Sequence, residues 1–305
     1  MDIRVLRYFL AVAREQSFST AAERLFLSQP TLSRQLKELE EELGKPLLIR
    51  SNKGVTQTEE GMILRKRAEE IVELMDKTEQ EVRQSNETIS GTIYIGAGET
   101  YAIKLIADTA NKLKPDHPDI HYSFFSGDGT DVIEKLDKGL IDFGIIFQPF
   151  DSARYEAIEI PLKDRFGVLM RRDASLAQKE TVSFDDLSGL PLIVPRQQNH
   201  HEIFRLLFGE NDSQLNIAAE YNLIYNGSVM AREGIGYCIG FDRIINVSGD
   251  SQMCFRPLEP PVEVGCHFIW KRYSVFTKAA NVFLTQFKQD IWEYAMNHLE
   301  GECLK

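Results

Sequence analysis

A chain of 305 residues, 43% hydrophobic and 27% charged, has the make-up of an ordinary globular protein and room for two or three domains. Its net charge of −11 excludes a generally polyanion-binding surface, and no apolar run approaches membrane-spanning length. Four cysteines without a CxxC pair argue against a disulfide framework or a zinc site, and the start Met1-Asp2-Ile3-Arg4 lacks a signal-peptide pattern, so a reducing cytoplasm is the expected compartment.

Charge is unevenly spread. Residues 1–58 hold nine Lys/Arg against seven Asp/Glu, a balance of +2, which leaves −13 for the rest. Within this segment Leu6, Phe9, Leu10 and Ala13 mark an amphipathic first helix. The stretch Ser17–Leu43 then reads as two short helices across a polar break. Ala21, Ala22 and Leu25 are the apolar positions of the first, and Thr20-Ala21-Ala22-Glu23 fits a capping box at its start. Ser28 is placed to cap the second, with Pro30 in its first turn.

In that second helix Leu32, Leu36, Leu39 and Leu43 share one face, expected to be buried. Pro30, Arg34 and Lys37 fall opposite, flanked by Thr31 and Ser33. An apolar back and an Arg/Ser/Thr/Lys front describe a helix-turn-helix, whose second helix has residue types suited to a major groove. An ordinary helical hairpin with a solvated polar face is the alternative. Gly44 is a helix stop; Leu47–Ile49 and Val55-Thr56 flank the turn Ser51-Asn52-Lys53-Gly54, forming a wing with Arg50 and Lys53 at its tip.

From Glu59 to about Thr88 a long helix is expected. Leu64, Ala68, Ile71, Met75, Thr78, Val82, Ser85 and Ile89 alternate by four and three, a heptad seam weakened by its polar members. From Gly91 onward strands alternate with helices. Strands are expected in GTIYIGAGE, HYSFFSGDG, IDFGIIF, RFGVLMRR, PLIVP, NIAAEY, GYCIGF and HFIWKR. Helices are expected over Tyr101–Leu113, Thr130–Lys138, around His201–Phe208, over Asn226–Glu233 and Lys278–Glu300. Such alternation predicts parallel sheets, with a small-ligand cleft outside the carboxyl ends of the strands.

The opening helix D-I-R-V-L-R-Y-F-L-A-V-A, the core S-F-S-T-A-A-E-R-L-F-L-S-Q-P-T-L-S-R-Q-L-K-E-L-E, then E-L-G-K-P-L-L-I-R and G-V-T-Q-T-E-E-G, resemble the N-terminal domain of LysR-type transcriptional regulators. The later segments agree, so the resemblance spans essentially the whole chain. It implies an α+β multidomain protein: a winged helix-turn-helix at 1–58, a linker helix for dimerisation at 59–89 and an effector-binding domain at 90–305. That domain would comprise two α/β subdomains like those of periplasmic binding proteins, I at 90–161 and 266–305, II at 162–265, joined by crossover strands near Pro149–Leu162 and Pro260–His267.

By this resemblance Gln29, Pro30, Thr31, Ser33 and Arg34 approach base edges of double-stranded promoter DNA, while Lys37, Arg50 and Lys53 hold phosphates or the minor groove. A small-molecule inducer or co-inducer would sit against Thr100, Ser126, Gly127, Phe147, Arg196, Gln197, Asn199, Tyr225 and Asn226, although Glu99 beside Thr100 would disfavour an anion. The family pattern further implies a homodimer or homotetramer, contact with RNA polymerase, no cofactor beyond the effector and no membrane.

Other chemistry finds weak support. Gly96-Ala97-Gly98 lacks the third glycine of a dinucleotide loop. Pro118 breaks any helix aligning His117 with His121, and His200-His201-Glu202 is a poor metal set. Some peroxide-sensing family members use cysteines in this domain; Cys238 in G-I-G-Y-C-I-G-F reads as a buried, inert strand residue. No catalytic constellation is evident, so an enzyme is not expected. A periplasmic-type solute-binding protein and an α/β enzyme with a regulatory head remain the competing classes.

Overall fold

The computed structural model describes residues 1–51, 54–83, 88–147, 149–196 and 215–302. Contacts divide the chain into two compact units, Met1–Gln84 and Ser85–Lys305.

The first unit contains α1 (Ile3–Glu15), α2 (Phe18–Arg24), α3 (Gln29–Leu43), a hairpin of β1 (Leu48–Ser51) and β2 (Gly54–Gln57), and α4 (Glu59–Arg83). Phe9, Val12, Ala21, Leu32, Leu36, Leu39 and Leu47 form its core. The cap of α2 differs from expectation. Ser17, extended at φ −152°, accepts from the Thr20 N–H, so the helix begins three residues before the expected Thr20 box and buries Phe18 as well. Ser28 caps α3 through the Thr31 N–H, with Pro30 in the first turn, as expected. Leu43 departs from its predicted buried face: it is 42% exposed, because the helix outruns the core before Gly44 (φ +66°) ends it. Gly61 lets α4 lie against the hairpin, since a Cβ there would sit 2.1 Å from the Leu47 carbonyl oxygen.

The seam of α4 is divided. Ala68 is fully buried and Leu64 packs on the core of its own unit, whereas Ile71, Met75, Thr78 and Val82 face solvent. Seam position Ser85 lies outside the described residues.

The second unit runs β3 (Gly91–Ala97), α5 (Ile103–Leu113), β4 (Ile120–Ser126), α6 (Gly129–Asp137), β5 (Phe143–Ile146), β6 (Tyr155–Arg171), β7 (Val182–Ser183), β8 (Pro191–Pro195), β9 (Asn216–Tyr221), α7 (Ile224–Arg232), β10 (Tyr237–Phe241), β11 (Met253–Glu259), β12 (Glu263–Lys271) and α8 (Lys278–Glu302). The strand order is β4-β3-β5-β12-β6-β10-β8-β9, with β11 on β6 and β7. β3 is parallel to β4 and β5, and β8 is parallel to β9 and β10, as strand–helix alternation requires.

β6 serves both ends of this sheet. Tyr155–Arg165 pairs with β12, and Phe166–Arg171 pairs with β10 and β11. The sequence suggests a crossover segment followed by a separate strand over RFGVLMRR. A single 17-residue strand forms instead, and Pro161 falls where the pairing with β12 is irregular, between Glu159 opposite His267 and Lys163 opposite Gly265. β11 has no counterpart among the expected strands; its Pro257 and Arg256 obscure the strand pattern. The expected helix around His201–Phe208 lies outside the described residues.

One core gathers Phe143, Phe268, Phe283 and Phe287 between β3, β5, β12, α5 and α8, with Phe268 and Phe287 rings 4.5 Å apart. Another gathers Phe166, Val168, Leu192, Val194 and Ile239 around the second part of β6. Among the described residues no helix is long and apolar enough to cross a membrane.

Candidate nucleic-acid interface and ligand cleft

The front of α3 is built by the burial of its back. With Leu32, Leu36 and Leu39 nearly or fully inaccessible, helical geometry turns Gln29, Pro30, Thr31, Arg34 and Lys37 outward, and all five are exposed. Arg34 lies 3.7 Å from Glu38 and Lys37 lies 3.3 Å from Glu41, both i,i+4 surface pairs of little energetic weight and easily exchanged for phosphate. Ser33 is half-buried and accepts from Arg50 Nη2 at 2.9 Å. Arg50 also stacks on Phe18, 4.0 Å from the ring centre. Arg50, expected to hold a phosphate or the minor groove, is therefore tied to α3. Lys53 lies outside the described residues. Positive residues on an exposed helix face beside a hairpin match a groove-binding surface.

In the second unit a cavity of about 80 Å³ opens where the two parts of the sheet meet. Gly127, Phe147, Phe166, Tyr221, Phe241 and Val264 are among its walls. The Phe241 ring lies 5.2 Å from Phe147 and 4.5 Å from Phe166, tilted to both at 40° and 55°. A more open groove of about 500 Å³ adjoins it, lined by Thr100, Tyr101, Phe124, Ser126 and Arg243. Glu99 lines both, and its carboxylate accepts from the Ile224 N–H at the start of α7, whose own N-cap Leu223 supplies no side-chain bond. Burial raises the Glu99 carboxyl above its ordinary range, against the lowering effect of the Ile224 and Tyr225 N–H groups.

Thr100 is 5% exposed. Its hydroxyl donates to Asp164 Oδ2 at 2.5 Å and accepts from the Ala102 N–H at 3.0 Å. Asp164 also accepts from the Tyr101 N–H at 3.2 Å, and burial raises its carboxyl.

Comparison with known proteins decides the family. The model described as "LysR substrate binding domain" matches residues 86–292, and that described as "Bacterial regulatory helix-turn-helix protein, lysR family" matches residues 3–62. The chain belongs to the LysR family of transcriptional regulators. Among its relatives is the HTH-type transcriptional regulator BsdA of Bacillus subtilis, 30% identical over 214 residues, covering 69% of this chain and 72% of BsdA. The hydrogen peroxide-inducible genes activator of Pectobacterium carotovorum is 31% identical over 195 residues, 64% of each chain. The solved structure of CbnR, a LysR family transcriptional regulator, superposes with a TM-score of 0.77 at 20% identity, covering 95% of this chain and 99% of that one. That likeness establishes the full-length fold. The protein is a DNA-binding transcriptional regulator of LysR type, and its relatives are regulators rather than enzymes.

In this LysR-type protein the cleft residues expected from sequence divide. Gly127 and Phe147 wall the cavity; Thr100 and Ser126 line the outer groove, with the Thr100 hydroxyl committed to Asp164. Tyr225 and Asn226 are exposed and outside both linings, because α7 starts at Ile224 and the turn before it, Tyr221-Asn222, reaches the cavity instead. Arg196 is exposed and absent from both linings; its N–H donates to the Tyr221 carbonyl at 2.5 Å. Gln197 and Asn199 lie outside the described residues.

Sequence reasoning misses Glu99 as a clasp and Phe166 and Phe241 as walls. The signal for Glu99, an acid between Gly98 and a helix start, is present in the chain but points by itself only to an obstacle to anions. Among the described residues no three His, Cys, Asp or Glu are grouped to hold a metal ion.

Proposed function

We propose that this LysR-type protein is an effector-controlled, cytoplasmic regulator acting on promoter or operator DNA as a homodimer or homotetramer. The observation that carries the reading is the cavity walled by Phe147 from one part of the sheet and Phe166 and Phe241 from the other, spanned by the shared strand β6. A small molecule held there has differential contact with two arrangements of the parts, which is the requirement for allostery. We take the parts to be subdomain I, 90–161 and 266–305, and subdomain II, 162–265.

Gln29, Pro30, Thr31, Ser33 and Arg34 read bases in this proposal. Lys37 holds a phosphate, and Arg50 supports the wing and its backbone contact. Ile71, Met75 and Val82, exposed on one stripe of α4, favour pairing with a second copy of the chain. No cofactor other than the effector is invoked, and contact with RNA polymerase would follow DNA binding.

Fluorescence anisotropy on the DNA upstream of its own gene, across a salt series and beside a scrambled duplex, tests the DNA half. Arg34→Ala is expected to lose about 1–3 kcal/mol of discrimination. Lys37→Ala is expected to weaken both duplexes alike and lower the salt slope by about one. Undiminished preference in Arg34→Ala would remove that residue as a base reader.

A further inference from the structure

Two helices that start at the cleft already hold a carboxylate of the chain itself on their N-terminus, and a third carboxylate holds the turn that leads into α5. Glu99 serves α7 through the Ile224 N–H. Asp128 caps α6, accepting from the Thr130 N–H at 2.8 Å and the Asp131 N–H at 3.0 Å. Asp164 holds the turn before α5, accepting from the Tyr101 N–H and the Thr100 hydroxyl. Helix N-termini are the usual anion sites of such folds, because their unpaired N–H groups and dipoles favour negative charge. Here those positions are filled from within. An incoming carboxylate would have to displace Glu99 or Asp128 and would meet the negative charge of both.

The remaining wall is mostly aromatic and aliphatic, with Asn222 as an uncharged polar member. Phe147, Phe166 and Phe241 stand together with Ile244 and Val264, and among the described residues no Lys or Arg lines the cavity. Aromatic faces beside a partly desolvated carboxylate attract a cation and repel an anion. The volume of about 80 Å³ accommodates roughly five to eight water-sized positions, hence a molecule of about that many non-hydrogen atoms.

We infer that the cleft takes a small organic cation, an alkylammonium with a compact branched or cyclic apolar body, seated between the Phe147/Phe166/Phe241 wall and the Glu99 carboxylate. This rests on the reading of the cleft as the effector site and names its ligand class. The ammonium end replaces lost solvation of Glu99, and the apolar end covers the phenyl rings. Because Glu99 clasps one side of the cleft to the α7 start on the other, a cation drawing on its carboxylate acts on the contact that relates the two parts.

The test uses the full-length protein and three near-isosteres: isobutylammonium, isobutanol and isobutyrate, followed by calorimetry and by the thermal midpoint. Variants are Glu99→Gln, which keeps an acceptor for the Ile224 N–H, and Ile244→Trp, a loop substitution that fills the cavity. The expected result is saturable binding of the ammonium at least about tenfold tighter than of the alcohol or the carboxylate. Glu99→Gln should remove that preference, and Ile244→Trp should abolish binding, with the unliganded midpoint of each variant near wild type.

Tighter binding of isobutyrate or isobutanol that is lost in Ile244→Trp would overturn the cation assignment and leave the cleft as the effector site. Ammonium binding unaffected by both variants would place the ligand elsewhere and overturn both readings. No saturable binding of any of the three would overturn the proposed ligand class.

Discussion

Arg50 donates from Nη2 to the Ser33 hydroxyl at 2.9 Å while its guanidinium lies 4.0 Å from the centre of the Phe18 ring. One side chain therefore joins the hairpin, α3 and the start of α2. A planar guanidinium can stack and donate at once, and an ammonium cannot reproduce both. The residue is as much a fixing pin between the hairpin and α3 as a surface cation.

Arg50→Ala is expected to weaken operator binding by about 1–2 kcal/mol, the sum of a stacked cation and a neutral hydrogen bond. Arg50→Lys keeps the charge and should recover little of this. Anisotropy titrations of the two variants check it: full recovery in Arg50→Lys would mean that only the charge matters, as in a bare phosphate contact.

Phe26, in the turn between α2 and α3, holds φ +55° and is 95% exposed. The Leu27 N–H returns to the Ala22 carbonyl at 2.9 Å, which forces this left-handed residue. A phenylalanine there bears backbone strain and contributes almost no burial. Phe26→Asn, which tolerates the conformation, should stabilise the first unit by about 0.5–1 kcal/mol. A higher thermal midpoint with unchanged DNA affinity is expected; a lower midpoint would reveal packing of the ring.

Asp164 is 3% exposed, and burial raises its carboxyl above the unfolded value against the Thr100 and Tyr101 hydrogen bonds and the nearby Arg243 charge. A carboxyl raised on folding binds its proton more tightly in the folded state. Its favourable contribution is complete below the unfolded value and is lost as pH rises through the folded one. Asp164→Asn should therefore be more stable than wild type at pH 8, with the advantage vanishing as pH falls below that window. Urea midpoints across pH test this, and a constant difference would refute it.

Cys238 and Cys266 are buried, and desolvation pushes both thiols up to about 12; Cys254 is buried and also raised. Thiolate is the reactive form, so none should react readily at neutral pH. Native-state labelling with a maleimide at pH 7 should leave these three unmodified over minutes and modify all of them in urea. Modification of Cys254 by dilute peroxide would reopen a redox role, peroxide being the inducing signal for which the Pectobacterium relative is named. Cys303 lies outside the described residues.

Much of this protein is written locally. The Leu32/Leu36/Leu39 spacing with Ser28 and Gly44 at its ends determines α3 and thereby turns Arg34 and Lys37 outward, because helical periodicity ties the exposed face to the buried one. Strand–helix alternation likewise foretells the parallel sheets of the second unit. Tertiary structure decided what lies between segments distant in sequence. Glu99 meets Ile224 across 125 positions, Thr100 meets Asp164 across 64, and Phe147 meets Phe241, none of them linked by any period or motif. It also decided that Leu64 and Ala68 turn inward while Val82 of the same seam stays exposed. Local pattern fixes which face of an element is apolar; which partner covers that face, and which carboxylate fills a helix end, depends on long-range packing that spacing along the chain does not encode.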